Sequence, residues 1–413
     1  MAGVPPAAPA AGGAGGLRHV VVGAGEAGTR AAIALAARSG EGHRVVLVGE
    51  EADAPYERPP LSKAGADGVT CKPIAADGAL AGVKTVFGVG ALALDRAARV
   101  LRLADGRVLA YDRLLLATGA RPRRLSCPGG ERAAVLRTRA DAERIFAAAR
   151  PGARAVIVGA GLIGLELAAT LRGRGLAVTV IEAAPRALGR ALPGPVAEAI
   201  VARHRAEGVT LRLSAAVERI DDGAVVLRGG EAIAADLVVA AIGVEPEVGL
   251  AKAAGLACDD GILVDGGLRT SDPAIFAAGD CARLAHPRFG PVRFETWRNA
   301  CDMGAAAAGA MAGEPVDHAP GTWFWSDHYD LGLQMAGRHD GGHRLVRRDL
   351  PGGFLLFGLD EDGRLATAAG IGPGNAVARD VRLAEMLIEQ GAAPDPALLA
   401  DPAAGLKTLL ARG

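Results

Sequence analysis

The sequence predicts an α/β protein with two parallel-sheet units in tandem and a small α+β C-terminal domain built on an antiparallel sheet. Three observations predict it. A strand, glycine turn, helix and second strand run from Arg18 to Glu50, with Gly23, Gly25 and Gly28 in G-x-G-x-x-G spacing. The same order returns from Ala155 to Glu182, with Gly159, Gly161 and Gly164. After Gly321 the chain reads as strands around Leu331 to Ala336, His343 to Arg347 and Phe354 to Phe357, then a helix from about Ala376 to Glu389. Each glycine pattern sits between a buried strand and a helix, and each unit closes on an acid. That is the order of a Rossmann-like dinucleotide-binding unit.

In chain order, residues 1–16 form an Ala/Gly/Pro tail with no basic start and no Leu-rich core, so they read as a disordered tail and not a signal peptide. His19 to Val22 form the first strand, and an Ala/Leu-rich helix follows the glycines to near Ser39-Gly40. Gly23 permits the tight turn, Gly25 lets a pyrophosphate approach the backbone, and Gly28 lets the helix pack on the strand. The helix start offers free N–H groups and positive dipole to phosphates. Strand Arg44 to Val48 then delivers Glu50, placed to accept from ribose hydroxyls.

The stretch Tyr56-Glu57-Arg58-Pro59-Pro60-Leu61-Ser62-Lys63 cannot be a helix interior or a central strand, because two prolines interrupt it. It reads either as a rigid site loop or as a surface turn with solvated charges. Lys84 to Leu109 reads as a β-meander with a turn at Asp105-Gly106. Arg113 to Ala117 is a buried strand stopped at Gly119 and Pro122.

In the second unit, strand Val156 to Val158 leads into the glycines, a helix runs to about Gly173, and strand Ala177 to Ile181 ends on Glu182. An acid about 20 residues beyond the first glycine accepts from a 2′-hydroxyl and repels a 2′-phosphate, favouring NADH over NADPH. Arg186, close by, argues the other way. Two fingerprints with two acids imply two bound nucleotides. Short strands follow between Val209 and Val239, an apolar strand ends at Ile242-Gly243-Val244-Glu245-Pro246, and Ile275-Phe276-Ala277-Ala278-Gly279-Asp280 is a strand ending on a carboxylate. Asp280 is either a ligand group at the sheet's carboxyl edge or a helix N-cap.

Composition narrows the class. The 413 residues suffice for two or three domains, and 46 basic against 46 acidic residues give zero formal net charge. Bulk attraction to nucleic acid or an anionic membrane is therefore not expected. The five cysteines are scattered without C-x-x-C, as in a reduced cytoplasmic protein, and no apolar run is long enough to span a bilayer.

The motifs G-x-G-x-x-G, R-P-P-L-S-K, A-T-G-A-R-P, a second G-x-G-x-x-G-x-E and F-A-A-G-D occur in that order. From Arg18 to the C-terminus the chain resembles the FAD-dependent ferredoxin reductases of oxygenase and cytochrome P450 systems, the putidaredoxin-reductase-like branch of the pyridine nucleotide-disulfide oxidoreductases. Glu295-Thr296-Trp297-Arg298-Asn299-Ala300 and Thr322-Trp323-Phe324-Trp325-Ser326-Asp327-His328-Tyr329-Asp330 are distinctive of that branch. His328 stands where the resemblance leads one to expect Gln, and the N-terminal tail is extra; neither departure puts a step of the implied chemistry in doubt.

The resemblance implies roles. Gly23, Gly25, Gly28 and Glu50 hold the ADP half of FAD, Arg58 and Lys63 its flavin side, and Thr118, Gly119 and Arg121 the adjoining phosphates and ribose. Asp280 bonds the ribityl chain, and Glu295, Thr296, Trp297 and Trp325 lie beside the isoalloxazine. Gly159, Gly161, Leu162, Ile163, Gly164, Glu182 and Gly243 hold NADH. Glu166 sits near the nicotinamide and faces Lys63 across the flavin, these two being the catalytic pair. Implied domains are 17–121 with 246–318 for FAD, 122–245 for NAD, and 319–413 as C-terminal domain and partner dock.

Relatives that reduce disulfides or peroxides carry cysteine beside the flavin, whereas this chain reads Leu61-Ser62-Lys63 there, and Cys71 reads as structural. With no redox thiol, electrons leave one at a time for an external carrier. The resemblance therefore implies an NADH:ferredoxin oxidoreductase passing single electrons to a small acidic [2Fe–2S] ferredoxin that feeds a P450 or Rieske-type oxygenase. Rubredoxin reductase, a thiol-independent NADH oxidase and a redox-sensing flavoprotein of the apoptosis-inducing-factor type remain as alternatives. The three tryptophans, Trp297, Trp323 and Trp325, read as core packing or as a shield on the flavin edge. Arg293, Arg298, Arg338, Arg344, Arg347 and Arg348 read as a ferredoxin dock or as solvated surface charge. A monomer or weak homodimer is expected.

Overall fold

Strand Arg18–Val22 lies at the centre of a five-stranded parallel sheet, flanked by Arg44–Val48 and Val83–Val86 on one side and by Arg113–Leu116 and Ile275–Ala277 on the other. The computed structural model describes residues 16–38, 44–65 and 68–410. The expected N-terminal tail, but for its last residue, and the helix end at Ser39-Gly40 lie outside the described residues. Val21, Leu114 and Leu115 are fully buried in one core with side chains of helix Glu26–Arg38 and with Leu101, Leu103 and Tyr111, so these strands read as unbroken apolar runs.

Ile275↔Leu114 pairing returns the chain to this sheet after the whole second unit has intervened, so Gly279 and Asp280 emerge at the same carboxyl edge as Gly23 and Thr118. Helix Glu26–Arg38 packs on helix Trp297–Ala312. Gly304 makes that approach possible, since a Cβ there would stand 2.4 Å from the Ala27 carbonyl oxygen. The close packing carries Thr296 and Trp297 to the first glycine turn.

The second unit repeats the plan with strand order Thr210–Arg212, Ala177–Ile181, Arg154–Val158, Leu237–Ala240 and Ala134–Val135, again all parallel. Two expectations change, the first of them in the sheet around Arg18–Val22. Val83–Val86 joins the parallel sheet, and the antiparallel meander comprises only Ala91–Asp95, Val100–Leu103 and Val108–Ala110. The apolar strand near Ile242 ends earlier, at Ala240, while Val244–Pro246 pairs antiparallel with Ala120–Pro122 as a two-stranded link between the units.

The C-terminal sheet has five antiparallel strands, ordered Trp323–His328, Leu331–Gly337, Leu365–Pro373, Gly353–Leu359 and Arg344–Leu350. The sequence marks the second, fourth and fifth of these, together with the helix, found at Ala378–Glu389. It misses Trp323–His328, whose mix of aromatic, polar and charged residues gives no apolar alternation, and Leu365–Pro373, where small residues dominate. One sheet face sends Leu333, Met335, Phe354 and Leu356 into a core shared with the second unit and with Tyr56 and Leu61. The opposite face packs Leu355 and Phe357 under the helix. Trp323–His328 is thereby pressed against helix Leu162–Gly173. Among the described residues no helix is long and apolar enough to cross a membrane.

Candidate functional site

At the first glycine turn, Gly23 has φ +110°, and a Cβ on it would stand 2.1 Å from the Ala117 carbonyl oxygen. A Cβ on Gly28 would meet the Gly23 oxygen at 1.8 Å. Both positions are glycine because the fold demands it. Gly25 differs: nothing lies within 4 Å of where its Cβ would stand. Its bare backbone faces open space at a helix start, the cradle that a pyrophosphate fills. Glu50 lies exposed just beyond the neighbouring strand, as a ribose acceptor must.

The second turn repeats the division of labour. Gly159 has φ +109° and would meet the Ala241 oxygen at 2.3 Å, Gly164 would meet the Gly159 oxygen at 2.2 Å, and Gly161 has nothing within 4 Å. Leu162 and Ile163 open the helix, and Ile163 is 48% exposed, an unusual position for a large apolar side chain. Glu182 accepts from the Ala160 and Ala184 amides at 2.9 Å each, which fixes its carboxylate beside the turn. Gly243, φ +98°, closes the facing loop. The residues present therefore fit two dinucleotides.

Between the cradles, Lys63 Nζ lies 3.6 Å from Glu166 Oε1 and 2.5 Å from Asp327 Oδ2. The expected pair exists, but the ammonium is shared, and its nearer partner is Asp327. Glu166 also accepts from Ser62 Oγ and Ser326 Oγ, each at 2.6 Å, and from the Asp327 amide at 3.2 Å. A carboxylate 8% exposed needs such donors to offset the loss of water. Trp325 stacks on Trp323 with centroids 5.3 Å apart and meets Trp297 edge-on at 5.8 Å, and Lys63 Nζ lies 5.8 Å from the Trp325 ring. The three rings thus assemble beside the Lys63 cluster and are not scattered through the core. Trp297 Nε1 is buried with no hydrogen-bond partner among the described residues, a donor left for a bound group.

Asp280 is not a helix cap. It sits in the short turn Gly279–Cys281 and accepts from Arg137 Nη2 at 3.0 Å. Thr296 is the cap instead, accepting from the Asn299 amide at 3.2 Å at the start of the helix that Trp297 opens. Glu295 is ion-paired with Arg293. Arg58 pairs with Glu51 at 2.7 Å, and Glu51 also takes the Tyr56 hydroxyl, whose pKa burial and that carboxylate together push up to about 12. The proline-bent stretch is therefore not a turn with solvated charges: both Arg58 and Lys63 are ion-paired. Thr118 Oγ1 donates to the Glu247 carbonyl at 2.5 Å, and Gly119 has φ +72°. Arg121 stands apart on the exposed link, paired with Glu245 and Glu247 at 2.9 Å each.

Arg137, Ser62, Ser326 and Asp327 were missed as individual site residues by the sequence. The last two lie in the aromatic motif, where the motif itself was the available signal; Arg137 had none. Arg348 is corrected outright. It is 3% exposed, and its Nε and Nη2 donate to the Leu399 and Leu398 carbonyls at 2.7 Å, so it cannot meet a partner. Arg347, one residue along the strand, faces outward. All five cysteines are free, and burial is the leading cause that pushes the thiols of Cys71, Cys258, Cys281 and Cys301 up, the opposite of an activated thiolate.

Comparison with known proteins agrees with this geometry. Residues 17–304 match the family described as pyridine nucleotide-disulphide oxidoreductase, and 323–410 match the one described as reductase C-terminal. The chain is 42% identical, over 95% of itself and 98% of the relative, to the anthranilate 1,2-dioxygenase system ferredoxin–NAD(+) reductase component of Burkholderia cepacia. It is 37% identical, over 94% of itself and 97% of the relative, to the p-cumate 2,3-dioxygenase system ferredoxin–NAD(+) reductase component of Pseudomonas putida. Among solved structures, a chain of the covalent putidaredoxin reductase–putidaredoxin complex superposes with TM-score 0.88 at 34% identity, covering 96% of this chain and 99% of that one.

Proposed function

The chain belongs to the pyridine nucleotide-disulphide oxidoreductase family, and on that premise we propose that it is an NADH:ferredoxin oxidoreductase serving an oxygenase. Its electron acceptor is a [2Fe–2S] ferredoxin that feeds a P450 or Rieske-type oxygenase. One observation carries the reading: two open glycine cradles flank a Lys63–Glu166–Asp327 cluster, walled by tryptophans, in which no cysteine takes part. Such a site needs two nucleotides and offers no thiol to receive electrons.

Residues 17–121 with 246–318 hold FAD, which when bound accepts two electrons from NADH and releases them singly. Residues 122–245 hold NADH, and 319–413 cover the site and dock the partner. Gly25 and Gly161 admit the two pyrophosphates, and Glu50 and Glu182 accept from the two riboses. Glu182 repels a 2′-phosphate, so NADH is preferred over NADPH. Asp280, oriented by Arg137, accepts from the ribityl chain. Lys63 and Glu166 align donor and acceptor and set the field where charge develops. Trp297 and Trp325 keep water from the cofactor edge. The protein acts in the cytoplasm as a monomer or weak homodimer.

The test is an anaerobic titration of purified protein with NADH and then NADPH, followed by a [2Fe–2S] ferredoxin, with visible absorbance as readout. Bleaching by NADH at lower concentration than by NADPH, then prompt ferredoxin reduction, is expected. Bleaching with a persistent long-wavelength band and no transfer to ferredoxin or rubredoxin would favour a redox sensor. Rapid transfer to oxygen alone would favour an NADH oxidase.

A further inference from the structure

Two buried histidines take no part in the mechanism above, yet they lie on a continuous polar path to Glu166. Ser326 Oγ donates to Glu166 Oε1 at 2.6 Å and lies 3.2 Å from His328 Nε2. His328 Nδ1 lies 3.3 Å from His204 Nε2, and His204 Nδ1 lies 3.4 Å from the Tyr329 hydroxyl. His204 and His328 are both 0% exposed, whereas Tyr329 is partly exposed. A polar chain running from a buried carboxylate to a partly exposed phenol is a costly feature for packing alone.

We propose that Tyr329, His204, His328 and Ser326 are a proton relay that reversibly protonates Glu166 from solvent as negative charge enters and leaves the cofactor pocket. The proposal rests on the function proposed above. Donor and acceptor chemistry fixes the resting direction. As a carboxylate, Glu166 can only accept, so the single hydroxyl proton of Ser326 points to it. His328 must then donate from Nε2 and accept at Nδ1, His204 must donate from Nε2 and accept at Nδ1, and Tyr329 must donate to His204. Inward transfer balances atom by atom. Bulk solvent gives a proton to the Tyr329 oxygen, the conjugate base (water from hydronium, or hydroxide from water) staying in solvent, and the phenol proton passes to His204 Nδ1. The His204 Nε2 proton passes to His328 Nδ1, the His328 Nε2 proton to Ser326 Oγ, and the Ser326 proton to Glu166. One proton enters, one O–H bond forms on Glu166, and both imidazoles change from the Nε2–H to the Nδ1–H tautomer. No residue is oxidised or reduced. The reverse sequence restores the start, so the cycle needs no side chain to turn over.

The surroundings suit neutral relays. Burial, aided by Arg203 for His204 and by His204 and Lys63 for His328, lowers their pKa values to about 4 and about 3, so neither ring holds a charge near neutrality. The charged groups facing the inner end are Lys63, Glu166 and Asp327. Those facing the outer end are Arg203, Glu207, Arg172 and Asp330.

The experiment is ¹⁵N-imidazole NMR on the FAD-loaded protein, oxidised and then reduced with dithionite, combined with stopped-flow proton uptake followed by a pH indicator. The wild type is expected to show two Nε2–H tautomers when oxidised and two Nδ1–H tautomers when reduced. H328Q, and Y329F as the milder variant that keeps its ring against His204, are expected to slow proton uptake at least about tenfold. Reduced protein that keeps both Nε2–H tautomers overturns the relay, and so does uptake as fast in both variants as in the wild type. Dithionite reduction bypasses NADH, so a wild type that binds no flavin or ignores NADH overturns the proposed function instead, and is recognised before any variant is compared.

Discussion

Arg137 and Asp280, 143 positions apart in the chain, are joined by a 3.0 Å charge-assisted hydrogen bond that ties the second unit's entry to the carboxyl edge of the first sheet. Asp280 is held at the carboxyl edge of the first sheet by a cation that no motif announces. R137A leaves this 17%-exposed carboxylate unpaired. The expected loss is about 1–3 kcal/mol of stability, together with a lower flavin-to-protein ratio after gel filtration. An unchanged ratio would mean that Arg137 is only a brace.

Lys63 divides its charge between Glu166 and Asp327. K63A is expected to slow flavin reduction by NADH at least about tenfold, and D327N to slow it less, because Glu166 can still hold the ammonium. Stopped-flow absorbance at saturating NADH measures both. An undiminished K63A rate removes Lys63 from the machinery.

The glycines sort into structural and ligand-facing classes. G25A should fold with a melting temperature within a few degrees of wild type, since Gly→Ala in free space shifts stability by only about 0.4–1 kcal/mol, yet lose FAD. G23A should unfold or lose at least about 1–3 kcal/mol, from its φ of +110° and the Ala117 oxygen. The parallel pair, G161A and G159A, should separate NADH binding from folding while FAD stays bound. Thermal melts with and without added nucleotide read all four.

His204 and His328 also make stability depend on pH. Their folded pKa values, about 4 and about 3, lie below the ordinary 6.5. The unfolded chain therefore binds more protons in the acid range, and the histidine contribution is fully present above about pH 6.5 and is lost as pH falls towards 4 and 3. The melting temperature should decline through that window, and H204Q and H328Q should each flatten the decline. An equally steep decline in both would assign it to carboxylates.

Arg347 and Arg348 are adjacent, yet one faces solvent and the other is buried. R348A is expected to cost about 1–3 kcal/mol by leaving the Leu398 and Leu399 carbonyls without their donor. R347E should leave the melt unchanged while weakening the salt dependence of ferredoxin reduction. Identical salt profiles for R347E and wild type would exclude this strand from the dock.

Local chemistry made much of this legible before any coordinates. A strand that ends on Gly23 or Gly159 must turn at once, because the positive φ is open only to glycine, and the next residues must start a helix. Those constraints act within about ten residues and so leave a pattern in sequence. The buried strands read correctly because both faces are covered, and two separate motifs flagged Trp297 and then Trp323 and Trp325. Strand Trp323–His328 itself did not read as a strand, because its burial is set by helix Leu162–Gly173, more than 150 positions away.

The sequence by itself determined the two nucleotide cradles, their acids and the absence of a thiol beside Lys63, since each depends on residue type and short spacing. Only the tertiary structure decided that Asp327 shares Lys63 with Glu166, that Arg137 holds Asp280, that Arg348 is interior, and that His204 meets His328. Those four relations join residues brought together by sheet pairing and layer packing. Their strength depends on distance and burial, neither of which is written into the spacing of residues along a chain.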